Sequence, residues 1–298
     1  MRDAKLLNYL HLHLLVFIAG FTAILGELIT IDAIALVWYR MLMATVLMYA
    51  YIRVKGINIK VPPRTILRFG FAGVIIALHW ITFFGAIKAS NISITLSMVS
   101  SGAFFASILE PIIHKRKIIK YEMVFGFVVV LGVFLITQSE LQYIEGIILG
   151  ILSAFLSALF AVLNGKFVKE YRPSVISIYE FISGVLFITL FIALFGSGFN
   201  SEFFSVSPTD LWYLFILASV CTAYAFIASV KIMEHVSPYT VMLTFNLEPI
   251  YGIILALILF PEKEKMSSNF YYGASIILGA VLLNGILKNW KALKRKRS

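Results

Sequence analysis

The chain has 298 residues, of which 60% are hydrophobic and 13% charged, whereas soluble globular proteins average about 45–50% apolar and about 25% charged residues. This composition excludes a water-soluble fold. The formal net charge of +10 does not indicate a nucleic-acid partner, because the basic residues lie mainly in short segments between apolar runs. We therefore expect a polytopic membrane protein with no separate soluble domain.

Ten apolar runs, each bounded by charged or turn residues, follow one another along the chain. They cover residues 9–29, 33–52, 65–87, 92–113, 121–137, 146–165, 174–196, 210–230, 236–260 and 270–287. About 20 apolar residues cross a bilayer as a helix, so the runs predict an all-α protein with ten transmembrane helices. The first run is expected to be retained as a span, because no small-residue cleavage site leads from it into a polar domain.

The basic residues are distributed unequally between the two sides of the membrane. Twenty of the 25 Lys and Arg residues lie in the two tails and in alternate loops, whereas the opposite loops carry three and the spans carry Arg40 and Arg68. The positive-inside rule then places both termini in the cytoplasm, in the cytoplasmic (inner or plasma) membrane. Residues 288–298 form a basic cytoplasmic tail, which we assign to topology and to anionic lipid rather than to nucleic acid.

Residues 9–137 and 146–287 are weakly similar, in the same order along the chain. The matched pairs are Gly126-x5-Gly132 with Gly273-x5-Gly279, and Tyr39-Arg40 with Tyr179-Glu180. Each half holds five spans, an odd number, so the second half enters the membrane upside down relative to the first. The sequence therefore predicts two inverted five-helix repeats, an architecture typical of secondary transporters.

Three segments carry a resemblance to a known family. They are Gly20-Phe21 to Arg40, Ala86 to Ser93, and Asn246-Leu247-Glu248-Pro249-Ile250 followed by Pro261-Glu262. On these residues the chain resembles the drug/metabolite transporter superfamily, in the form with two EamA-type domains. The resemblance implies ten helices, both termini inside and movement of small metabolites, and it does not name the solute.

Charged side chains within spans are the first candidates for a site, since each costs about 2.5–3.5 kcal/mol at a helix centre. Glu248 lies about 17 Å along its helix from Ser237, close to the membrane midplane. With Asn246 beside it, Glu248 is expected to contact solute or a cation, or to carry a proton. A structural ion pair with Arg40 is the alternative.

Arg40 and Glu180 each lie about a third of the way across their spans, so they could gate opposite ends or form a static ion pair. His79 is either hydrogen-bonded scaffolding or a proton carrier, and Trp80 either packs or stacks on a solute. The predicted cavity residues are Glu248, Asn246, Arg40, His79, Trp80, Tyr179, Glu180, Tyr224 and Asn164.

Charged residues at span ends have simpler expected roles. Glu110 is expected to pair with Lys115 or Arg116 at the inner rim. Glu27, Asp32 and Lys88 are expected to reach water at the external rim.

These observations favour a secondary carrier that exports a small organic metabolite, such as an amino acid or a related solute, by alternating access. A non-transporting scaffold or receptor and an intramembrane enzyme remain as alternatives. We expect no catalytic residues, no metal and no cofactor, because the chain has a single cysteine, Cys221, and lacks nucleotide-binding, zinc-protease and serine-hydrolase motifs. The expected partners are the solute and the bilayer. Coupling to a proton or another ion, and a homodimer, stay open.

Overall fold

A computed structural model shows how these runs fold. It describes residues 2–196, 198–233, 236, 241, 244, 245 and 247–295; for residues 2–9, 285 and 288–295 the backbone alone is described. Within these ranges the chain is helical and contains no strand.

Twelve α-helices are described. In chain order they are α1 (Arg2–Leu28), α2 (Ala33–Val54), α3 (Pro63–Ala89), α4 (Ile92–Val99), α5 (Gly102–Ile113), α6 (Lys120–Ser139), α7 (Ile144–Phe167), α8 (Pro173–Phe195), α9 (Pro208–Ala218), α10 (Ala225–Ile232), α11 (Glu248–Leu259) and α12 (Ser268–Arg295). A 3₁₀ turn, Leu141–Tyr143, leads into α7, and a π-helical segment, Ser219–Tyr224, joins α9 to α10.

Eight segments of the described chain are long and apolar enough to cross a membrane. They are Leu10–Leu28, Ala33–Val54, Pro63–Ala89, Ile92–Ile113, Lys120–Ser139, Leu141–Phe167, Pro173–Phe195 and Pro208–Ile232, and the shorter α11 is also apolar. The prediction of an all-helical polytopic membrane fold is confirmed. Seven of the 25 residues of the predicted ninth run, 236–260, lie outside the described residues.

Helix starts coincide with residues that satisfy or replace free backbone N–H groups. The Asp32 carboxylate accepts from the N–H of Ile34 at 2.9 Å at the start of α2. Asn91 accepts from the N–H of Ile94 at 2.9 Å at the start of α4. Proline occupies the first turn of α3, α8, α9 and α11, where an amide hydrogen is not needed. Short polar connections therefore end one span and begin the next.

Glycines set the closest helix crossings. An added Cβ at Gly73 would lie 2.1 Å from the carbonyl oxygen of Glu180, so α3 and α8 touch through their backbones. A Cβ at Gly132 would lie 2.9 Å from the carbonyl oxygen of Gly273, so α6 and α12 also approach closely, although less closely than α3 and α8. Small residues permit such approach in membrane helices. The interpretation of these glycines as packing residues agrees with this geometry.

Helices that occupy matching places in the two halves run antiparallel. On α6 and α12, Gly132 lies against Ile277 and Ile136 lies against Gly273. On α2 and α8, the Trp38 indole donates to the Thr189 hydroxyl at 2.9 Å, and Met41 lies against Gly184. In both pairs the residue number rises on one helix as it falls on the other.

The remaining helices surround a common interior. Helix α3 packs on α7 and α8, α2 packs on α8 and α9, and α1 packs on α11. Helix α12 packs on α6, and α6 also packs on α5. The α6–α12 pair therefore lies beside the helices that enclose the cavity described next.

Candidate functional site

A cavity of about 160 Å³ lies between helices of both halves. For comparison, an engineered apolar protein cavity of about 150 Å³ holds a benzene molecule. Most lining side chains are aromatic or aliphatic, and a few polar groups interrupt them, as is usual for small-molecule sites. Four of the nine predicted site residues line it: Arg40, His79, Trp80 and Glu248.

Arg40 enters the cavity from α2 and is 3% exposed. Its Nε donates to the Thr222 hydroxyl at 2.6 Å, and its Nη2 lies 3.4 Å from the Cys221 carbonyl oxygen. The guanidinium carbon lies 3.8 Å from the centroid of the Trp80 ring, a cation–π contact. Nη1 is buried and has no hydrogen-bond partner among the described residues. The guanidinium thus retains a donor for an anionic group that enters the cavity.

The π-helical segment supplies the partners of Arg40. Its wider turn lets the Thr222 hydroxyl donate to the carbonyl of Leu217, five residues earlier, at 2.6 Å, while the same oxygen accepts from Arg40. π-Helical turns are rare and occur often at functional sites. This turn was not predicted from the sequence, because Ser219–Tyr224 is a short stretch within a longer apolar segment and contains no glycine or proline.

Glu248 is the first residue of α11 and is 8% exposed. Pro249 follows it in the first turn, and both residues line the cavity. A helix N-terminus favours a negative charge, so this position suits a carboxylate that faces a cation. Among the described residues no direct ion pair joins Glu248 to Arg40. Asn246, predicted to act beside Glu248, lies outside the described residues.

His79 and Trp80 form one wall of the cavity from α3. The Nδ1 atom of His79 lies 2.9 Å from the Ser153 hydroxyl of α7, a contact that ties α3 to α7. The Trp80 ring meets Phe181 and Phe226 edge-on, at centroid distances of 5.5 and 6.1 Å. The histidine thus fits the scaffolding interpretation, and the tryptophan both packs and presents a face to Arg40.

The other predicted site residues lie away from the cavity lining. The Tyr179 hydroxyl donates to the Ile59 carbonyl at 3.0 Å. Tyr224 is exposed and lies 2.9 Å from the His11 ring nitrogen. Asn164 and Glu180 are hydrogen-bonded to each other at 2.8 Å. Sequence position placed all four inside the membrane but gave no information on which way each side chain points.

Several lining residues were not predicted. They are the hydroxyl residues Thr22, Ser100, Ser157 and Ser229, and the aromatic residues Phe83, Phe160 and Phe226. Each is unremarkable within an apolar run, so only the packing of distant helices identifies it. Ser100 lies between α4 and α5, where the fourth membrane segment is interrupted.

Polar contacts between the two halves cluster at the end of the bundle predicted to be external. The backbone N–H and the hydroxyl of Thr30 donate to the Asp210 carboxylate at 2.9 and 2.7 Å. Glu264, 1% exposed, accepts from the N–H groups of Ile92 and Ser93 at 3.0 and 2.9 Å. These contacts hold that end together in this conformation.

Basic residues complete the contacts at this end. Lys263 pairs with Glu27 at 2.6 Å, and the hydrogen bond and charge of Glu27 raise the pKa of Lys263. Lys88 donates to the Ile29 carbonyl. At the opposite end Arg116 pairs with Glu110 at 3.0 Å, as the sequence predicted.

Comparison with known proteins identifies the family. The sequence model of the EamA-like transporter family matches residues 7–138 and 144–286. The chain belongs to this family. The match confirms the resemblance to the drug/metabolite transporter superfamily. The chain, which contains two EamA repeats, is a multi-pass membrane protein of a transporter family.

Two individual proteins are similar to this EamA-family chain. A protein of Archaeoglobus fulgidus described as an uncharacterized transporter is 23% identical over 267 residues, which is 85% of this chain and 89% of that protein. A solved crystal structure superposes with a TM-score of 0.68 at 12% identity, over 94% of this chain and 97% of that chain. The second likeness concerns the fold alone.

Proposed function

We propose that this protein is a secondary carrier that moves a small organic solute through the Arg40–Glu248 cavity by alternating access. The single observation that carries the proposal is that cavity: side chains of opposite charge from the two halves of the chain line one small, largely apolar space. A buried charge costs too much to persist without a partner or a function. A carrier gives both charges a function.

The lining also indicates the class of solute. The free Nη1 donor of Arg40 suits a carboxylate, and Glu248 suits an ammonium group. The apolar walls suit a small apolar side chain, since the whole cavity has about the volume that holds one benzene molecule. We therefore propose an amino acid or a closely related metabolite as the solute, with export as the working direction.

The antiparallel pairing of α2 with α8 and of α6 with α12 supports the inverted repeat on which alternating access rests. The same proposal includes ten spans, the repeat bounds 9–137 and 146–287, and both termini and the basic tail 288–298 in the cytoplasm. The contacts at the predicted external end then correspond to a state closed to the outside.

The test is solute uptake by purified protein in liposomes offered a mixed metabolite pool, with mass spectrometry of what accumulates. We expect one solute class to accumulate in exchange for internal solute, and the Glu248→Gln protein to lose that exchange. Glu145→Gln is the matched control, because it makes the same chemical change at an exposed position outside the cavity. If nothing exchanges although the protein is folded, the scaffold and enzyme alternatives take the place of the carrier.

A further inference from the structure

Asn164 and Glu180 form a buried polar pair between α7 and α8, and neither lines the cavity. Both side chains are 0% exposed. The Asn164 Nδ2 atom donates to the Glu180 Oε1 atom at 2.8 Å and lies 3.4 Å from the Phe160 carbonyl oxygen. Because the Phe160 carbonyl can only accept, the amide nitrogen and not the amide oxygen faces it, and Glu180 Oε1 lies beside the same nitrogen.

This orientation leaves two buried acceptors without a donor. The Oδ1 atom of Asn164 and the Oε2 atom of Glu180 have no hydrogen-bond partner among the described residues. Buried polar atoms in folded proteins are nearly always paired, so each exception needs an explanation. A hydrogen on Glu180 Oε2 would remove the uncompensated charge from this buried carboxylate.

The basic groups on the helices packed around Glu180 do not neutralise it. Arg40 donates to Thr222 and Cys221, His79 contacts Ser153, and Lys88 donates to the Ile29 carbonyl. The remaining charged residues of α2, α3, α7 and α10 are exposed: Arg53, Arg64, Arg68, Glu145, Lys166 and Lys231. A carboxylate buried without a cation is far more costly than the neutral acid.

The pair also lies where the two halves touch most closely. The backbone oxygen of Glu180 is the atom that an added Cβ at Gly73 would strike, so Glu180 sits at the α3–α8 crossing. Water can reach the side chain only if this contact or the α7–α8 contact loosens. Rocking of one half against the other would therefore control when the side chain exchanges a proton with water.

We propose that Glu180, oriented by Asn164, is a proton-binding site that couples solute movement to a proton gradient. The carboxylate takes one proton from water on one side and releases it to water on the other, and no bond to the solute forms or breaks. The proposal rests on the proposed carrier function, since it assigns a driving ion to the same rocking movement.

The experiment compares two transport modes of the purified protein in liposomes. Solute-for-solute exchange without a pH gradient measures the carrier itself. Accumulation driven by a pH gradient, together with proton flux reported by a pH-sensitive dye, measures coupling. With one proton per solute, one pH unit supports up to about tenfold accumulation of a neutral solute.

The informative variant is Glu180→Gln, because the Gln amide reproduces the shape and the hydrogen-bonding pattern of the neutral acid. We expect it to retain exchange but to lose gradient-driven accumulation and solute-dependent proton flux, with the accumulation ratio falling to about 1. Glu110→Gln, which changes a carboxylate at the predicted inner rim, is the matched control and should keep the ratio of the unaltered protein. A carboxylic-acid infrared band, present in the unaltered protein and absent in Glu180→Gln, would locate the proton directly.

Each other outcome overturns the proposal. If the unaltered protein exchanges solute but does not respond to a pH gradient, the carrier stands and the proton site does not. If Glu180→Gln keeps coupled accumulation, or if folded Glu180→Gln loses exchange as well, Glu180 is not a dedicated proton site. If Glu180→Gln fails to fold, the infrared band is measured in Glu248→Gln instead. A band that persists there supports the assignment to Glu180, and a band that disappears refutes it.

Discussion

The α3–α8 crossing at Gly73 allows a stability prediction to be worked from the structure. Alanine at this position places a Cβ 2.1 Å from the carbonyl oxygen of Glu180 and 2.8 Å from its Cα and carbonyl carbon. Close carbon–oxygen contacts in proteins lie at about 3.3–3.6 Å, so the two helices would have to separate by roughly 1 Å. All three atoms belong to the backbone, and no side chain can rotate away to make room.

We expect Gly73→Ala to destabilise the protein by about 1–3 kcal/mol, the usual cost of overpacking a well-filled interior. In a thermal scan of detergent-solubilised protein this corresponds to a midpoint several degrees lower. Gly279→Ala is the matched control, because an added Cβ there meets nothing within 4 Å and alanine favours the helix. Equal midpoints for the two variants would refute the argument that backbone contact at Gly73 sets the helix separation.

Three further predictions concern charged groups. Arg40→Lys should slow solute exchange at least tenfold, because an ammonium group lacks the planar guanidinium that stacks on the neighbouring tryptophan ring. An exchange rate within twofold of that of the unaltered protein would contradict this. Glu264→Gln should lower the unfolding midpoint by the equivalent of about 1–3 kcal/mol, because the new amide NH₂ would face one of the first two backbone N–H groups of α4, donor against donor. Glu262→Gln, at an exposed position, should leave the midpoint unchanged. Loss of the exposed Lys263–Glu27 pair by Lys263→Gln should change stability by less than about 1 kcal/mol. Glu27 raises the pKa of Lys263 above its ordinary value of 10.5. The stability that the pair contributes is therefore complete below pH 10.5 and is lost only as the pH rises through the raised pKa. The unfolding midpoints of the unaltered protein and of Lys263→Gln should thus differ equally at pH 6 and pH 9.

The helices were predictable because span length and charge placement are local properties of the sequence. The predicted span 33–52 is observed as Ala33–Val54, and 92–113 as Ile92–Ile113. The interruption of the fourth segment between Val99 and Gly102, and the π-helical turn in the eighth, were not predicted. Neither contains a proline. At the interruption the Ser100 and Ser101 hydroxyls donate to the carbonyls of Leu96 and Met98, whereas in the π-helical turn the Cys221 carbonyl meets Arg40 of another helix.

The candidate site was predictable in part. Burial of a charge is costly enough for Arg40 and Glu248 to be recognised from sequence alone. Which of the remaining polar residues face the cavity depends on helix rotation, and predominantly apolar helices hardly specify that rotation. Glu180 and Arg40 occupy matching positions in the two halves, yet Arg40 lines the cavity and Glu180 pairs with Asn164 outside its lining.

The π-helical turn at Ser219–Tyr224 bears on how this protein can change over evolution. Such a turn holds one residue more than an α-helical turn, so deletion of any one residue within it would restore a regular α-helix. Because the π-helical turn and the α-helical turn that would replace it both complete about one full rotation, α10 would keep its orientation and Phe226 and Ser229 would still line the cavity. A deletion at this turn would therefore spare the α10 wall of the cavity but displace the Thr222 hydroxyl and the Cys221 carbonyl, the two groups that contact the Arg40 guanidinium.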